Sequence, residues 1–113
     1  MEQNKIAEIK VSYSNIIPIV NRKKIRTSKE AYDLLMQIWD TNLLELQEEF
    51  KVILLNNAND VIGIFPMSKG GSTGTVVDVK LIFAVALKCN SNAIILAHNH
   101  PSGNLKPSIQ DIE

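Results

Sequence analysis

Ala93-Ile94-Ile95-Leu96-Ala97-His98-Asn99-His100-Pro101-Ser102-Gly103 is the stretch on which the reading of this chain turns. The unbroken apolar run Ala93–Ala97 reads as a buried β-strand, and it delivers two histidines to the edge of a sheet. In extended backbone the side chains at i and i+2 point the same way, so His98 and His100 can grip one ion together. Pro101-Ser102-Gly103 is a turn that fixes how His100 leaves the strand. Further on, Pro107-Ser108-Ile109-Gln110-Asp111 predicts a helix capped by Ser108, which would place Ser108 and Asp111 one turn apart on one side. A catalytic zinc commonly has three protein ligands and an exchangeable water, and His98, His100 and Asp111 supply that number and those atoms. Zinc would lower the pKa of its water to about 7, making a hydroxide nucleophile at neutral pH. Such a site also needs a proton carrier and a donor for the developing oxyanion, and Ser108, one helical turn before Asp111, could serve the same site.

Upstream of the strand, Asp78 caps a predicted helix carrying Val79, Ile82, Phe83, Ala86 and Leu87 and ending at Asn90. Phe50 to Leu55 is apolar apart from Lys51, Asn56 to Asp60 is dense in turn formers, and Val61 to Phe65 is extended again. Together they read as a β-hairpin. Ser68-Lys69-Gly70-Gly71-Ser72-Thr73-Gly74 is a loop without the Gly-Lys-Ser/Thr ending of a phosphate-binding P-loop. Thr75-Val76-Val77 reads as a short strand. Thr27 and Glu30 form a capping box for a helix with Ala31, Leu34, Leu35 and Ile38 on one face, ending near Asp40. Between that helix and the hairpin lies a polar stretch, Thr41-Asn42 to Gln47-Glu48-Glu49, with room for a helical turn. Lys5 to Ser14 sets Ala7, Ile9, Val11 and Tyr13 against Ile6, Glu8, Lys10 and Ser12. This is the pattern of an amphipathic first strand, with Ile6 on the polar side. Arg22 to Arg26 is a basic connector, expected to be solvated.

Composition narrows the function classes. The 113 residues make one domain, large enough for a core without disulfides. Twelve basic and twelve acidic residues cancel, so no global field draws the chain to nucleic acid or an anionic membrane. The single cysteine, Cys89, rules out an internal disulfide, fits a reducing cytoplasm, and reads as a packed thiol. No apolar signal segment follows Met1, and the apolar runs are too short to cross a bilayer.

The spacing His-x-His, seven residues, Ser, two residues, Asp resembles the JAMM (JAB/MPN) metalloprotease motif at every fixed offset. The wider string Ile95-Leu96-Ala97-His98-Asn99-His100-Pro101-Ser102-Gly103-Asn104-Leu105-Lys106-Pro107-Ser108-Ile109-Gln110-Asp111 resembles the RadC branch of that superfamily. So do Glu48-Glu49-Phe50-Lys51-Val52-Ile53-Leu54-Leu55-Asn56 and Gly74-Thr75-Val76-Val77-Asp78, and the likeness runs over residues 25 to 113. It implies an α/β fold: a mixed β-sheet with flanking helices in the JAMM, cytidine-deaminase-like architecture. It implies a zinc-dependent amide hydrolase of the metallopeptidase or isopeptidase kind, acting on a peptide or isopeptide substrate. His98, His100 and Asp111 would be the zinc ligands, and Ser108 would hydrogen-bond the water or the oxyanion. The family's general base is a glutamate at the start of an upstream strand, two positions before an aromatic, which favours Glu48 over Glu49. RadC relatives carry an N-terminal helix-hairpin-helix region and continue past the helix begun at Ser108. The expectation is therefore one domain over residues 1–113 in a short or truncated form. The letters His-Asn-His do not signal an HNH nuclease, whose motif is dispersed over a ββα unit. The alternative from another class is a non-catalytic protein- or DNA-interaction module linked to DNA repair or recombination.

Overall fold

In the strand Glu49–Leu55 (β1) the apolar residues fall on both faces, so helices must cover it from two sides. The computed structural model describes residues 5–40, 42, 47–69, 77–99 and 105–111, with residues 68, 69 and 105–111 described through the backbone alone. Its elements are α1 (Ser28–Ile38), β1, β2 (Val61–Lys69), α2 (Val79–Lys88), β3 (Ala93–Asn99) and β4 (Leu105–Asp111). The strands form one sheet in the order β2-β1-β3-β4.

Ile53, Leu55, Ile95 and Ala97 pack with Ala31, Leu35 and Trp39 of the α1 side. Phe50, Val52, Leu54 and Ile94 pack with Ile82 and Ala86 of α2. The result is an α/β/α sandwich, in which the period-two alternation of β1 and β3 feeds two separate cores. Both helices start as their sequences predict. Thr27 accepts the Glu30 N–H at 3.1 Å, and Asp78 accepts the Leu81 N–H at 3.0 Å. Cys89, half-buried at the end of α2, joins the second core, and burial pushes its thiol up from its ordinary pKa, as befits a packed thiol.

The hairpin forms as expected, and β2 runs on past Phe65 to Lys69. Register shifts between Phe50 and Lys51 and between Leu54 and Leu55 leave extra residues on β2, which allows Ile62, Phe65 and Met67 to reach the same α2-side core. Its turn is held from inside by Asn56, whose Oδ1 accepts the N–H groups of Ala58 and Asp60, both at 2.9 Å. Asp60 is 2% exposed and receives both Asn56 Nδ2 and the ammonium of Lys24. The basic connector, exposed at Lys23 and Lys24, is thus stitched to the hairpin turn. The Val61 N–H donates to the Lys23 carbonyl at 2.8 Å, and the Ile25 N–H to that of Asn59 at 3.0 Å.

Hydrogen bonds from Lys24 and Asn56 hold the Asp60 carboxyl below its ordinary pKa. A depressed carboxylate pKa contributes stability above the unfolded value and loses it as pH falls through the folded one. The Tm gap between the native chain and Asp60→Asn should therefore be widest at neutral pH and narrow from about pH 4 downward. A gap that stayed constant to pH 2.5 would remove Asp60 from the acid limb.

Three expectations change. The sequence predicts a strand over Lys5–Ser14, but that segment has no strand. Ile6, Ile9 and Val11 are 79%, 86% and 69% exposed. Alternation needs a ladder partner, and this segment meets the outer edge of β2 only through side chains, with Tyr13 Oη and Asn15 Nδ2 both donating to the Ile62 carbonyl. The sheet is expected to be mixed, but every pairing among the described strands is antiparallel.

The third change is the helix predicted from Ser108, because residues 105–111 instead form β4, paired with β3. The edge of β3 offers a full row of backbone partners, and Pro107 is tolerated because β4 is itself an edge strand. The strand expected at Thr75-Val76-Val77 lies outside the described residues except for Val77, which is not in a strand, and the polar stretch before β1 lies largely outside them. Among the described residues no helix is long and apolar enough to cross a membrane.

Candidate active site

The antiparallel register of β1 and β3 pairs Phe50 with His98. Their rings stack with centroids 5.9 Å apart and planes 2° from parallel. The half-buried His98 thus sits on the α2 side of the sheet, at the end where β1 begins and β3 finishes. Glu48 lies two residues before Phe50, immediately ahead of β1, and is also half-buried.

Glu49 has a different environment. It is 3% exposed, and its Oε1 lies 4.0 Å from Lys51 Nζ, which in turn sits 5.3 Å over the centre of the Trp39 ring. Lys51 and Trp39 belong to the α1 side, so Glu49 sits in a buried charged cluster, whereas Glu48 is the half-buried residue just before β1.

Of the remaining predicted site residues, His100 lies outside the described residues. Ser108 occupies the register position of Leu96, and Asp111 that of Ala93. Asp111 is therefore five residues along β3 from the position of His98, roughly 17 Å at the rise of a strand. The shared helical face expected for Ser108 and Asp111 is not formed, because in a strand residues three apart fall on opposite faces. Among the described residues no three His, Cys, Asp or Glu side chains converge as a metal site.

The structure adds one polar residue that the motif reading passes over. Asn99 is completely buried, its Oδ1 accepting the Glu49 N–H at 2.8 Å and its Nδ2 donating to the Gln47 carbonyl at 3.0 Å. The signal was present in the sequence: an amide at the end of an apolar strand, between two histidines, has to find partners when it is buried.

A two-sided α/β sheet that sets His98, near the end of β3, opposite the acidic start of β1 fits a domain of the JAB type. The family model for the RadC-like JAB domain matches residues 25–113, and the chain belongs to that family. A UPF0758 protein of Flavobacterium johnsoniae is 47% identical over 94 residues, covering 82% of this chain and 39% of the relative. One from Porphyromonas gingivalis is 43% identical over 93 residues, 81% of this chain and 39% of its own length. One from Clostridium beijerinckii is 41% identical over 107 residues, 95% of this chain and 45% of the relative. The chain thus spans less than half the length of these relatives.

Proposed function

We propose that this domain is a zinc-dependent hydrolase of amide bonds, of the JAMM metallopeptidase or isopeptidase kind. The observation that supports the reading is the Phe50–His98 pair, which brings the start of β1, preceded by Glu48, beside His98 near the end of β3. Two imidazoles and a carboxylate, from His98, His100 and Asp111, are a donor set whose chemistry fits zinc. Of this set, Asp111 pairs opposite Ala93 in β4, five residues along β3 from His98. Ligation by Asp111 requires residues 108–111 to leave the edge of β3. A bound zinc would supply a Lewis acid that makes water a nucleophile at neutral pH.

The chain's own residues have separable tasks. Glu48 takes a proton from the attacking water and returns it to the leaving amine. Phe50 stacks on the His98 ring and so limits the directions in which its nitrogens face. Ser108 would donate to the oxyanion once its segment has moved. The Lys51–Glu49 pair lies on the other side of the sheet and takes no part in the proton transfer.

Metal analysis of protein purified without added zinc tests the assignment. The native chain should carry about one zinc, as a three-ligand site holds, and His98→Ala/His100→Ala should fall to background. Equal zinc in both would overturn the site.

The register position of Asp111 also favours a second reading, a non-catalytic interaction module linked to DNA repair or recombination. The balanced charge weighs against autonomous DNA binding, which rests on clustered Lys and Arg. A salt-sensitive shift of labelled DNA at micromolar protein, together with background zinc, would favour this reading over the first.

A further inference from the structure

We infer that Asn99 is a positioning residue whose side-chain amide clamps the backbone on both sides of Glu48. This rests on the role proposed for Glu48. The β1–β3 register runs from Leu55↔Ala93 to Phe50↔His98 and goes no further. By the antiparallel count the next residue of β3, Asn99, stands opposite Glu49. At this point the side chain takes over from the backbone.

Asn99 Oδ1 accepts the N–H of Glu49, and Nδ2 donates to the C=O of Gln47, so both peptide groups flanking Glu48 are tied to one side chain. Asn99 is 0% exposed, and both bonds have ordinary lengths, 2.8 and 3.0 Å. In strand alternation Asn99 falls on the α1 side with Ile95 and Ala97, while His98 faces α2. It therefore grips the Glu48 segment from behind, without entering the site.

The chemistry explains why the residue is Asn. The clamp needs an acceptor and a donor on one short, planar group. Asp keeps the acceptor and loses the donor, Leu keeps neither, and Gln is one methylene longer. Because β1 begins at Glu49, Glu48 has no ladder partner among the described residues, and the clamp holds the backbone on both sides of it. A proton carrier must stay within hydrogen-bond reach of its water, and a displacement of an ångström is costly in rate.

Two measurements on the zinc-loaded chain test this. In Asn99→Ala the Glu49 amide should exchange with solvent at least about tenfold faster than any common change at the Ile53 and Ile95 amides. Asn99→Asp, which keeps the acceptor, should retain protection of the Glu49 amide and serves where the alanine variant fails to fold. Exchange at Glu49 moving in step with Ile53 and Ile95 in both variants would overturn the clamp. Turnover of a fluorogenic isopeptide should fall about ten- to a hundredfold in Asn99→Ala but show no further fall when Asn99→Ala is added to Glu48→Gln. Losses that add in the two backgrounds would make Asn99 a stability residue and overturn the proposal. Full turnover in Glu48→Gln alone would instead overturn the role of Glu48, a failure distinct from that of the exchange test.

Discussion

Glu48→Gln should leave the zinc content of the protein unchanged and reduce hydrolysis of an isopeptide probe by about 10²- to 10⁴-fold, the usual contribution of a positioned acid–base group. The substitution is isosteric, and Glu48 precedes β1, so no ladder bond is removed. It keeps a hydrogen-bonding end of the same size and takes away only the ability to carry a proton. The neighbouring substitution is the control. Glu49→Gln removes a buried charge 4.0 Å from Lys51 Nζ, so it should lower stability and spare turnover in the protein that remains folded. Rates and urea midpoints measured for both variants separate the two roles. Unchanged turnover in Glu48→Gln would refute the assignment, and the reverse pattern would transfer the role to Glu49.

Ile95→Ala should cost about 2–5 kcal/mol of stability. Ile95 is 0% exposed, its register partner Ile53 is also 0% exposed, and Leu35 of α1 closes the same core. Three carbons, two methyls and a methylene, are lost where three elements meet, and the sheet cannot collapse into the gap without breaking its own ladder. The urea midpoint should fall with the slope unchanged. Leu87→Ala is the comparison, since Leu87 on α2 is 69% exposed and its truncation should change stability by about 0.5 kcal/mol or less. Similar losses for the two would mean that the α1-side core is not what holds the sheet.

Much of this fold is legible in local sequence. The caps at Thr27 and Asp78, the hairpin turn at Asn56–Asp60 and the buried run Ala93–Ala97 depend on residues a few positions apart, so reading along the chain recovers them. The choice between Glu48 and Glu49 is less legible. Spacing before Phe50 favours Glu48, and the structure adds that Glu49 lies with Lys51 and Trp39 on the side away from His98. Nothing near Glu48 in sequence reveals the clamp on its backbone, since Asn99 reaches Gln47 and Glu49 from some fifty residues away. The segments 5–14 and 108–113 are illegible for a related reason. Each carries a plausible pattern, but neither pattern says whether a partner is available.

The sequence by itself determines the family and the residue types of the candidate site. His98, His100, Ser108 and Asp111 hold fixed offsets, and the chain belongs to the RadC-like JAB family over residues 25–113. Tertiary structure decides which of these residues meet. Pairing Phe50 with His98 joins the start of β1, just after Glu48, to the end of β3 that carries His98. Pairing β4 with β3 sets Asp111 opposite Ala93. The physical reason is that side-chain chemistry is a property of each residue, whereas register is a property of two segments competing for the same backbone hydrogen bonds.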